Sequence, residues 1–181
     1  MLKWLMRRRL AAFERTYGYD VSYARDILDA DPSALLAFGR IERLARYRRG
    51  VPQAAYYAAK LVAARAEDCG PCTQLVVTMA ERAGVEPAVL RAALAGDPHA
   101  MTPDAALGYR FAEAVLAHDL TAEALRDEII KRWGRQGLVS LAFAIAAARV
   151  FPTVKYALGH GKACTRVTVG GTGVPVLRRA A

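Results

Sequence analysis

Apolar residues recur at three- and four-residue spacing in one segment after another, and proline, threonine and glycine punctuate the segments. That period places side chains on one face of a helix, and proline suits a helix's first turn as glycine suits its end. Leu2, Leu5, Met6, Leu10 and Phe13 mark a helix over 2–15, with the arginines on the other side. Pro32 opens a second over 33–47, carrying Leu35, Leu36, Phe38, Ile41 and Leu44, and Gly50 and Pro52 end it. The run PQAAYYAAKLVAARAE, 52–67, is rich in the residue with the highest helix propensity. Pro71 begins the next helix, which bears Leu75, Val76, Met79 and Ala80 and stops at Gly84. Further helices are expected over 86–94, over 103–118 behind Thr102, over 122–133 behind Thr121, and from about 137, where Pro152 should kink or break the last. The tail TRVTVGGTGVPVLRRAA has β-branched residues and glycines but no partner strand elsewhere, so it is expected to be irregular and partly mobile. The chain therefore reads as all-α, without internal repeats.

At 181 residues it can bury a core of its own as a single domain. Within it, 1–50 read as N-terminal helices packing on the body or a partner subunit, 51–160 as the helical core, and 161–181 as a basic tail. A hydrophobic fraction of 54% with only 8 prolines excludes disordered and collagen-like classes. The longest apolar run, 137–148, falls short of the ~20 residues that cross a bilayer, so no membrane span is expected. The first helix could lie on a membrane surface, though packing is the commoner use of such a stripe. No apolar stretch and cleavage site of secretory type follow the early arginines, and three cysteines is an odd count; a reducing cytoplasm is the expected setting. The net charge of +9 invites a nucleic-acid reading, but the basic residues gather at 3–15, 40–49 and Arg178-Arg179 with no recognition motif, so no specific nucleic acid is expected.

The densest chemistry is Cys69-Gly70-Pro71-Cys72. A cysteine at a helix start meets unpaired backbone N–H groups and the positive end of the dipole, which favour its thiolate. Two intervening residues let one sulfur be oxidised and the other close a disulfide. Cys69, nearer the helix start, is taken as the exposed, attacking thiol. Glu67 and Asp68 directly precede it, and Glu67 is the candidate to handle a proton.

An all-helical chain with this C-x-x-C, followed by AALGYRFAEAVLAHDLTAEALRDEIIKRWGRQGLVSLAFAIAAARVFPTVKYALG, resembles the carboxymuconolactone decarboxylase family and its alkylhydroperoxidase D branch, over about 51–159. The resemblance implies an alkylhydroperoxidase D-like helical bundle, assembled as a trimer or hexamer. It also implies reduction of a peroxide or disulfide through the cysteine pair, which a thiol-based reductant recharges, with no bound cofactor. The branch usually carries Glu-x11-Cys-x-x-Cys-x3-His; the cysteines match as Cys69 and Cys72, but Tyr57 stands at the glutamate position and Val76 at the histidine position. The usual proton relay is thus missing. For the decarboxylase branch only Gln74 and Lys60 offer themselves as substrate-handling residues.

His160 and Cys164, four apart, would share a helix face, and with Cys69 and Cys72 they match tetrahedral zinc by ligand type. Gly159 and Gly161 disfavour a helix there, so no metal is expected; Cys164 could instead be a third redox thiol. His99 and His118 sit at element ends and read as exposed. The expected function is a thiol-dependent peroxidase or disulfide oxidoreductase, the alternative a non-catalytic oligomeric interaction protein on the same fold.

Overall fold

A computed structural model describes residues 1–163 and 166–177. It is mostly helical, with one two-stranded sheet among the described residues. The first helix, α1 (Leu2–Tyr17), buries Met6 and turns Leu10, Phe13 and Tyr17 inward, ending at Gly18, whose φ of 59° suits a residue without a side chain. A helix that the periodicity did not disclose follows, α2 (Ser22–Ala30). Asp20 accepts hydrogen bonds from the Ser22 amide at 2.9 Å and hydroxyl at 2.5 Å, which fixes its entry. The stretch expected over 33–47 divides at Arg40 into α3 (Pro32–Gly39) and α4 (Ile41–Arg46), and Asp31 caps α3 through the Ser33 amide at 2.8 Å.

The central element is α5 (Gln53–Ala66), in which Ala55, Ala58, Ala59, Ala63 and Ala64 have no exposed surface. Small side chains let neighbouring helices approach closely. A Cβ on Gly108 of α8 (Pro103–Ala117) would stand 2.4 Å from the Ala55 carbonyl oxygen. Around α5 also pack α6 (Gly70–Arg82), α7 (Pro87–Ala95) and α9 (Ala122–Ala157). The two last expected helices join as α9, interrupted at Gly134 (φ 69°, ψ 178°). Pro152 does not break it: the helix runs on to Ala157 with Pro152 buried. By length and composition alone α9 could cross a membrane, its 18-residue window averaging a hydropathy of 1.7, with 44% of that window buried inside the chain.

The tail is not irregular where it is described. β1 (Arg166–Val169) and β2 (Thr172–Pro175) pair antiparallel, Val167 opposite Val174 and Val169 opposite Thr172. The partner strand lies within the tail itself, across Gly170-Gly171, both at positive φ (58° and 77°), a combination that favours two glycines in a tight hairpin. Val167, Val169 and Val176 join the main core, and the Gln74 side-chain amide ties the hairpin to α6 by bonds of 3.0 and 2.7 Å to the Thr168 backbone.

Candidate redox site

The chain leaves α5 at Glu67, reverses through Asp68 in the left-handed region (φ 47°), and reaches Cys69, the extended N-cap residue of α6. The Tyr156 hydroxyl donates to the Asp68 carbonyl at 2.8 Å and the Gly70 amide donates to the Lys162 carbonyl at 2.9 Å, so the end of α9 and the segment after it hold this turn. Pro71 occupies the opening turn of α6, where a missing N–H costs nothing. Cys72 follows one turn in, and Thr73 returns both its amide and its hydroxyl to the Cys69 carbonyl at 2.9 and 3.0 Å.

Both cysteines are free thiols and both are buried, Cys69 at 0% and Cys72 at 5% exposure. The expectation that Cys69 is the exposed thiol is therefore corrected. Its nearness to the helix start does not bring it to solvent: Tyr156 and Lys162 hold the turn on either side of it, and the α1–α2 connection reaches Cys72. Tyr19, in that connection, places its hydroxyl 3.6 Å from Cys72 Sγ. Tyr23 of α2 meets Tyr19 edge to face at 6.4 Å, and Phe13, Phe38 and Phe151 extend the aromatic layer from α1 to α9.

Beneath these rings lies Lys155 of α9, 2% exposed, its Nζ 4.7 Å from the Tyr19 ring centroid and 5.3 Å from that of Tyr23. Tyrosine faces attract the ammonium by their quadrupoles, which offsets part of the loss of water.

The two thiols are electrostatically unlike. Cys69 is lowered below the ordinary thiol range, chiefly by its Cys72 partner; desolvation opposes this, and the Cys72 backbone N–H and Lys155 reinforce it. Cys72 is pushed up, first by holding its proton toward Cys69, then by burial and by the Cys69 charge. Tyr19 is also raised, mainly by burial, and Tyr23 is pushed up to about 12 for the same reason. The arrangement therefore favours the thiolate at Cys69 over that at Cys72, with a phenol within reach of the second sulfur.

The other expected residues lie elsewhere or do other work. Glu67 is paired with Arg149 at 2.5 Å and accepts from the Thr153 hydroxyl at 3.4 Å, both on α9. An open groove of 320 Å³ runs past these partners along Ala146, Val150 and Val154, the last packed on the aromatic layer. Tyr57 packs on the main core and Val76 is buried in it. Lys60 is buried too, donating to the Ala45 carbonyl at 2.8 Å, and burial lowers it to about 8. Gln74 is occupied with the hairpin. His160 follows the end of α9 in non-helical backbone and pairs through Nε2 with Asp26 at 2.6 Å, while Cys164 lies outside the described residues. Among the described residues no group of three or more histidine, cysteine or acidic side chains gathers to hold a metal. His99 and His118 are exposed at element ends.

Tyr19, Tyr23 and Lys155 did not emerge from the sequence. No local motif links them to the C-x-x-C, α2 was not foreseen, and the break expected at Pro152 placed Lys155 beyond an ordered helix. No match of the chain to a family model, a curated protein or a solved structure is found.

Proposed function

We propose that the protein is a thiol-dependent oxidoreductase that reduces a peroxide or a disulfide through Cys69 and Cys72, on a scaffold of the alkylhydroperoxidase D type. The observation that carries this reading is the buried pair of free thiols at the start of α6, with the Tyr19 hydroxyl on Cys72 and the Lys155 ammonium against the Tyr19 ring. The Cys69 thiolate attacks one oxygen of a hydroperoxide, the O–O bond breaks, and the departing alkoxide takes up a proton to leave as an alcohol. Cys69 becomes a sulfenic acid. Cys72 then attacks its sulfur, hydroxide leaves and is protonated to water, and the Cys69–Cys72 disulfide closes. Two electrons have passed from the dithiol to the peroxide, and an external dithiol returns them by exchange. In place of the missing glutamate and histidine, Lys155 favours the thiolate and the Tyr19 hydroxyl holds Cys72, whose proton passes to the leaving hydroxide when the disulfide closes.

The setting proposed is a reducing cytoplasm, and the assembly a trimer or hexamer built on the outward apolar residues of α9. Val139 there is 40% exposed, and Ala142 and Ala146 also face out. The same burial that shields the thiols favours the second reading, a non-catalytic oligomeric interaction protein in which the pair only packs. Peroxide consumption coupled to a dithiol reductant separates the two. Wild-type protein should turn over, and Cys69→Ser should lose at least about a hundredfold. Equal background rates in the two proteins would remove catalysis and leave the interaction protein.

A further inference from the structure

Away from the dithiol, α1 has two faces. Met6, Leu10, Phe13 and Tyr17 turn toward the aromatic layer, whereas Trp4 (58%) and Leu5 (51%) project from the other side and Leu2 (54%) from its edge. On that outward side Arg8 lies over the Trp4 ring at 4.8 Å, and Arg9 and Arg15 are exposed and form no ion pair among the described residues. No acidic residue occurs in the helix before Glu14, and Glu14 is turned to Arg25 of α2. Arg7, on the flank, is held by Asp29 at 2.6 Å.

We propose that the outward face of α1 docks on an anionic phospholipid bilayer. An exposed tryptophan and leucines interleaved with arginines suit the headgroup boundary, where the apolar side chains enter the acyl region and the guanidinium groups stay with the phosphates. Charge complementarity selects this occupant. A second copy seated face to face would set Arg8, Arg9 and Arg15 against their own counterparts with no acid between them. A nucleic acid would satisfy the arginines but leave Leu2 and Leu5 in water, since a phosphate backbone offers them nothing apolar. Each basic side chain near an anionic surface adds to the attraction, and so does the buried apolar area. The inference is independent of the redox reading, because none of these residues touches the dithiol.

The test is co-sedimentation of the full chain with phosphatidylcholine vesicles, with and without about one-third phosphatidylglycerol, at about 0.1 M salt. Association with the anionic vesicles should be at least about tenfold tighter than with the neutral ones and should fall as salt rises. The double variant Trp4→Ser, Leu5→Ser should weaken it about tenfold, and Arg8→Gln with Arg15→Gln by a similar factor, whereas Arg126→Gln on exposed α9 surface should change it less than about twofold. All sites chosen are exposed, and a circular dichroism melt equal to that of wild type shows that each variant is folded. The proposal is overturned by failure to sediment with anionic vesicles, by wild-type partitioning of the Trp4/Leu5 variant, or by tighter binding to duplex DNA that survives that variant. It is equally overturned if the Trp4/Leu5 substitutions dissociate an oligomer, since a second copy would then occupy the face.

Discussion

Cys69 and Cys72 lie on the same turn, but their surroundings set them apart. Cys69 is lowered by its Cys72 partner and by Lys155, and Cys72 is raised by the same partner and by burial. A depressed value has a defined sign in the pH dependence of stability: the Cys69 thiolate stabilises the fold above the ~8.5 of a free thiol, and that contribution fades as pH falls below it. In a Cys164→Ser background, the alkylation rate of Cys69 should rise with pH about a midpoint below the ~8.5 of an ordinary thiol. Cys72→Ala removes the donor and Lys155→Met the cation, and each should move the midpoint up toward the ~8.5 of an ordinary thiol, Cys72→Ser less so because a hydroxyl still donates. The midpoint is the quantity to read, since burial slows alkylation at every pH. An unchanged midpoint in both variants would refute the electrostatic account. At this scale the cysteines were legible in the sequence because their spacing is local; Tyr19 and Lys155 were not, because they come from the α1–α2 connection and from α9 and meet the pair only through folding. Glu67 precedes Cys69 by two residues, yet its carboxylate is directed to Arg149.

Among the elements, the alanine-rich α5 governs how closely its neighbours pack. Gly108 shows the tolerance: its missing Cβ is what allows α8 to lie against the Ala55 backbone. Gly108→Ala should therefore destabilise the protein by roughly 1–3 kcal/mol in denaturant melts, despite alanine's better helix propensity, because backbone must move to make room. A gain in stability would contradict that packing. Long periodic helices such as α5, α6 and α8 were readable within a residue or two, whereas the two runs expected over 122–133 and from about 137 form one element interrupted at Gly134. The readings that failed depended on partners. Pro152 continues α9 because its surroundings bury it within the helix. The hairpin was missed because a partner strand was sought outside the tail, although Gly170-Gly171 between valine-rich stretches is itself a turn signal. In α2, Tyr23, Ala24 and Leu28 are buried but too short a run to show a period.

On the scale of the whole molecule, an aromatic layer joins the N-terminal helices to α9 over the dithiol, while α9 and α1 present outward surfaces of different character. The exposed apolar residues of α9, with little charge among 137–148, suit a second copy. Light scattering in dilute solution should give three or six times the 19.6 kDa of one chain, and a single-chain mass at every concentration would contradict the assembly. Redox chemistry at the pair is read most plainly by mass mapping of protein treated with one equivalent of peroxide. An intramolecular Cys69–Cys72 disulfide is predicted in most molecules, with Cys164 left reduced. A pair that stays reduced under oxidant, or a bridge from Cys164 to either member in most molecules, would contradict it.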